Sequence, residues 1–215
     1  YMINAGFGAI ILAVGGAALP FLGITEKLPL PQELYCPILI LIICMISGMT
    51  NITAAAVSIE GSALWIARSV PVDTADLLKA KLLLHLSIAG PATVIAQAGV
   101  IFAVGPSWQN LIWCLLTPLA FTAFTALSGL VANLRHPNLD WVNETQAVKN
   151  GVAVLIALCV STAAVMAMVA AGYGLSLLMP LGAATGVVTM ALLLICWLLY
   201  RWILTGGVAA YERLS

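Results

Sequence analysis

The chain has 215 residues, of which 8 are Lys or Arg and 8 are Asp or Glu, so its net charge is zero, and its mean hydropathy is +1.12. Soluble domains are about 25% charged; at 7% this chain has too few polar side chains to cover a water-facing surface, which excludes a soluble globular enzyme. The apolar excess excludes disorder, eight scattered cations exclude a nucleic-acid interface, and an all-α polytopic membrane protein remains.

A helix needs roughly 20 apolar residues to cross the hydrocarbon core. Six such stretches occur within a single transmembrane domain over 1–215: 3–22, 36–57, 82–104, 111–132, 152–172 and 181–204. The first begins almost at Tyr1, with no basic leader or small-residue cleavage site. It is therefore expected to be a span and not a signal peptide, with further residues upstream and this segment forming the C-terminal part of a longer protein. Arg68, Lys79 and Lys81 fall in the connection 58–81, Arg135 and Lys149 in 133–151, and Arg201 and Arg213 near the end. Only Lys27 lies in an odd-numbered connection, so the positive-inside rule places both basic connections and both ends in the cytoplasm. Trp108 and Trp113 at one side, and Trp197, Tyr200 and Trp202 at the other, sit where interfacial aromatics belong.

No Asp, Glu, Lys or Arg lies in the middle of a span, where ion-coupled transporters usually hold their coupling ion. His85, four residues after Lys81, is expected to reach back toward the headgroups. Gln97, Thr117, Thr122, Thr125, Ser128, Ser161, Thr162, Thr185 and Thr189 are expected to bond across helices or back onto their own turns. Gly182-x-x-x-Gly186 and the Ala163, Ala167, Ala171 series predict close helix approach, and Pro91 and Pro118 predict kinks. The segment Tyr173–Pro180 is apolar yet punctuated by Gly and Pro, which leaves two courses open, a short hairpin dipping into the outer leaflet or a plain connection. Cys36, Cys44, Cys114, Cys159 and Cys196 show no ligand spacing and are taken as small hydrophobes, with no metal and no catalytic constellation.

In the connection 58–81, Ser62 is placed to cap a short helix that carries Leu64, Trp65 and Arg68 on neighbouring positions of one face. Pro71 ends it, Asp73 caps the next helix, and Asp76 lies in that helix's first turn, ahead of Lys79 and Lys81. In 133–151, Asn143 and Gln146 suit a capping-box variant that continues through Ala147 and Val148 into the fifth span.

These two connections resemble cytoplasmic loops of ABC exporter permeases of the ABC-2 type. The first resemblance rests on Glu60-Gly61, Leu64-Trp65, Arg68-Ser69-Val-Pro71 and Asp76-Leu-Leu-Lys79-Ala-Lys81. The second rests on Arg135, on Pro137-x-Leu139-x-Trp141, and on Glu144-x-x-Ala-Val148-Lys149. The tail Ala-Tyr211-Glu-Arg-Leu214 is similar to the end of such permeases. The resemblance implies that the short helix of the first loop is a coupling helix, seated in a groove of a separate ABC ATPase subunit. That subunit would bind ATP and Mg and hydrolyse the ATP, since this chain has no Gly-x-x-x-x-Gly-Lys-Ser/Thr loop. It also implies a second permease copy or half, a lipid environment and no nucleic acid. An ion-coupled secondary transporter and a non-transporting structural subunit stand as alternatives.

Overall fold

The computed structural model describes residues 7–23, 31–50, 52–105, 108–141 and 151–214. The described residues form helices and turns without strands: α1 (Phe7–Ala18), α2 (Gln32–Ser47), α3 (Leu64–Ser69), α4 (Thr74–Val104), α5 (Trp108–Arg135), α6 (Val152–Ser176), α7 (Leu181–Trp202) and α8 (Val208–Glu212). A π-helical turn over Ile203–Gly207 joins α7 to α8, so the helical path runs from Leu181 to Glu212.

Four segments are long and apolar enough to cross a membrane: Thr74–Val104, Asn110–Arg135, Val152–Ser176 and Leu181–Glu212. They make the chain an integral membrane protein. The first two expected spans coincide with shorter helices. α1 gives way at Leu19 to a 3-10 turn containing Pro20, and α2 has 16 residues. The expected second span over 36–57 is not one helix. α2 ends at Ser47, and the chain turns through Gly48 and Met49 into irregular structure. Apolar residues continue to Val57, which is why composition reads the whole stretch as a span.

α5 is the centre of the bundle. In its apolar window 78% of residues are buried, against 28% in α6 and in the helix from Leu181. Phe121, Phe124, Leu127 and Leu130 of α5 pack with Leu82 and Val100 of α4, Ile40 and Ile43 of α2, and Leu192 of α7. Small residues set the closest crossings. α1 meets α4 at Gly16, Ala96 and Gly99, where an added Cβ would run into the facing backbone. Gly186 of α7 lies under the Trp113 indole of α5, so Gly182-x-x-x-Gly186 does serve helix approach. Ala163, Ala167 and Ala171 are exposed instead, because α6 turns that stripe away from the bundle interior.

The span hydroxyls bond as expected. Thr122 Oγ1 lies 3.1 Å from Ser47 Oγ and 2.9 Å from Thr93 Oγ1, tying α5 to α2 and α4. Thr117 Oγ1 and Thr189 Oγ1 lie 2.7 Å apart between α5 and α7, and Gln97 Nε2 donates to the Leu115 carbonyl at 2.7 Å. Such bonds contribute about 0.6–2 kcal/mol each in a bilayer. Residues 173–180 form no hairpin. α6 runs to Ser176, and a tight turn, in which the N–H groups of Leu178 and Met179 donate to the Leu175 carbonyl, leads through Pro180 into α7.

Candidate functional site

At one end of the bundle Arg135 stacks over Trp202 at 4.9 Å, Arg201 over Trp197 at 5.5 Å, and Lys79 and Lys81 occupy the first two turns of α4. Between the end of α2 and the start of α4, at this basic end, lies a folded segment whose backbone is largely non-helical. Ile52, Thr53, Ala55 and Val57 have no exposed surface, and Ala54 and Ser58 have at most 2%. Irregular backbone is tolerated among apolar surroundings only when its polar groups find partners.

The partners come from far along the chain. Asn133, fully buried in the last turn of α5, accepts the N–H of Val57 at 2.7 Å and of Ser58 at 3.1 Å. Its amide nitrogen donates to Ser58 Oγ at 2.6 Å, and Ser58 Oγ also accepts the Asn138 N–H at 2.9 Å. Trp141 Nε1 donates to the Ser58 carbonyl at 2.6 Å. Lys81 donates to the Ala56 carbonyl at 2.9 Å and pairs with Glu60. The second oxygen of Glu60 accepts the Tyr211 hydroxyl of α8 at 2.9 Å. One short segment is thus tied to α4, α5, α8 and the stretch after α5.

Gly61 has φ +46° and ψ −130°, a conformation open to glycine but strained for any L side chain. A Cβ there would also lie 2.9 Å from Trp141 Nε1. The Glu60-Gly61 element of the first connection therefore rests directly on the Trp141 of the second. Within 136–141, Pro137 and Leu139 are half-buried and Leu139 packs against the core. Arg135 closes α5 over Trp202.

After Gly61 the character reverses. α3 carries Trp65 at 68% exposure and Ile66 at 51%, and Val70 and Val72 follow exposed. Leu64 is buried, so Leu64 and Trp65 do not share a face as expected; one points to the core and the other outward. The Ser62 side chain lies outside what is described; α3 starts at Leu64 with Ala63 at its N-cap and no cap bond from that residue, since the chain enters from a 3-10 turn. Ser69 Oγ donates to the Ile66 carbonyl, and Val70 is extended ahead of Pro71, which ends the helix. Asp73 Oδ1 accepts the Ala75 N–H and caps α4, as expected. The Arg68 side chain, Asn143, Glu144, Gln146, Val148 and Lys149 lie outside what is described.

The two lysines diverge. Lys81 turns inward to Glu60, whereas Lys79 pairs with Asp76 at 2.8 Å on the outer side and lines a groove with Trp197 and Tyr200. His85 is not interfacial. It is fully buried, with Nδ1 3.2 Å from Thr53 Oγ1 and Nε2 without a partner among the described residues. The irregular segment meets it through Thr53. Asn133 and Tyr211 are the residues that motif reasoning did not single out as anchors. A lone carboxamide at the end of an apolar helix is the signal that was present for Asn133.

Compared with protein-family models, curated proteins and solved structures, the chain finds no match.

Proposed function

We propose that this chain is the permease subunit of an ABC exporter, moving substrate with ATP hydrolysed by a separate ATPase subunit that holds ATP and Mg. In this reading the chain crosses a bacterial cytoplasmic membrane six times, with α1 and α2 as the cores of the first two spans. The basic end, both connections and both ends of the segment face the cytoplasm, and a second permease copy or half completes the pathway. The observation that carries the reading is the exposed apolar ridge of Trp65, Ile66, Val70 and Val72 standing on a base held by buried and half-buried hydrogen bonds. A ridge of this kind loses free energy in water and gains it in a partner's groove.

The base is suited to carry force. A push on α3 reaches α4 through Glu60 and Lys81, α5 through Asn133, α8 through Tyr211, and the second connection through Gly61 and Trp141. Purification of the full-length protein from its native membrane in mild detergent tests the proposal. A stoichiometric subunit with a phosphate-binding loop, crosslinked through Ser69→Cys on the exposed side of α3, is expected. Recovery without any ATPase overturns it.

The buried, half-partnered imidazole of His85 favours one alternative, an ion-coupled transporter, because buried ionisable groups in spans are where coupling ions bind. Transport that persists without ATP and stops when the proton gradient is collapsed would select it.

A further inference from the structure

A groove of about 450 Å³ runs along the outside of the bundle at its basic end, between α4, α5 and α7. Leu83 and Leu86 of α4, Ala123 and Leu127 of α5, and Trp197 of α7 form its walls. It is open to the side, where Leu83 and Trp197 are 65% and 53% exposed. Its mouth is different in kind. Lys79 and Tyr200 stand there, and Arg201 lies beside it, stacked on Trp197. Lys79 commits one of its three N–H donors to Asp76, and Arg201 pairs with no carboxylate among the described residues.

We propose that this groove binds an anionic phospholipid, with one acyl chain along the apolar walls and the phosphate held by Lys79, Arg201 and the Tyr200 hydroxyl. An apolar slot capped by two cations and a phenol matches a chain joined to a phosphate, and basic pockets between spans are where anionic headgroups bind. A second copy of this chain fits less well. It would bring the same cations to the same end, with like charges facing each other.

The test is lipid retention by the full-length protein, isolated in mild detergent, titrated with phosphatidylglycerol or phosphatidylcholine and weighed by native mass spectrometry. Wild type is expected to retain phosphatidylglycerol over phosphatidylcholine by about tenfold, below the roughly thirtyfold of two free cations near a headgroup because Asp76 offsets part of the Lys79 charge. Lys79→Ala with Arg201→Ala is expected to bring phosphatidylglycerol retention down to the level of phosphatidylcholine and so abolish the preference, whereas Ala123→Phe, which fills the groove, lowers both. Glycerol phosphate, which lacks the acyl chain, should not displace the lipid. Equal retention of the two lipids by wild type overturns the proposal, and this holds whether or not the variants fold. So do a preference that survives in the charge variant, displacement by glycerol phosphate, or a Leu83→Cys disulfide between two copies, which would place a second chain in the groove.

Discussion

Ser58–Gly61 and Leu64–Val72 are neighbours in one connection, yet they live in opposite surroundings. The first is buried, polar and bonded from four directions, with a glycine in a conformation that other residues resist. The second is apolar and largely exposed, anchored within the chain mainly by Leu64. The contrast separates two kinds of importance that a motif runs together. Glu60 and Gly61 build the platform, and Trp65 is what the platform presents. Substitutions in the first half should therefore act on stability, and those in the second on what the protein does.

Glu60→Ala should have the largest effect on stability. It leaves the Lys81 ammonium, whose side chain is 12% exposed, without its carboxylate and removes the bond that the Tyr211 hydroxyl donates to Glu60. Removing one partner of a largely buried pair costs about 3 kcal/mol, read as a lower unfolding midpoint in detergent. The double variant Glu60→Leu with Lys81→Met should recover much of the loss, because no buried charge is then stranded. If Glu60→Ala unfolds like wild type, the platform is not where the segment is held.

Asn133→Ala comes next. It removes the acceptor of two buried N–H groups and the donor to Ser58 Oγ. With two buried N–H groups left without their acceptor, the expected cost is about 2–3 kcal/mol. Hydrogen exchange at Val57 and Ser58 should rise more than exchange in α6, which the substitution does not touch. A uniform rise would mean that Asn133 supports the bundle as a whole and not the segment in particular.

Gly61→Ala should cost about 2 kcal/mol from backbone strain alone, plus the approach of its Cβ to the Trp141 indole. The two parts can be separated. In a Trp141→Ala background the contact is gone and the strain remains, so the same substitution should cost less but still destabilise. No difference between the backgrounds would show that strain is the whole effect.

These residues also mark how far sequence carries the fold. The long apolar helices were legible from composition, and so were the Asp73 cap, the stop at Pro71 and the bonds of span hydroxyls back onto their own turns, because each follows from residues near in sequence. The stretch Gly48–Val57 was misread, since a run such as Ile52-Thr-Ala-Ala-Ala-Val57 has the hydropathy of a span whatever its backbone does. What lets it leave the helix is Asn133, 75 residues away from Ser58, together with Lys81 and Trp141. The burial of His85 follows from that misread stretch, because Thr53 belongs to it. In the candidate site the motif residues Glu60, Gly61, Lys81 and Trp141 were legible as a group, but their contact across two connections was not, since no local pattern encodes a tertiary meeting.

Trp65→Ala gives the smallest stability effect and the sharpest comparison. The indole is 68% exposed, so little buried area is lost, and the unfolding midpoint should correspond to a change within about 0.5 kcal/mol. On the proposed permease reading, the same substitution should sharply reduce transport and the yield of a co-purifying ATPase subunit, because a large aromatic on a docking ridge carries much of the binding free energy. Ile66→Ala should do the same to a smaller degree. The pairing with Glu60→Ala is what makes the test decisive. A platform residue loses the fold and hence the partner, whereas a ridge residue loses the partner alone. If Trp65→Ala keeps full partner yield and transport, α3 is not the docking element, and its exposed ridge must meet something other than an ATPase.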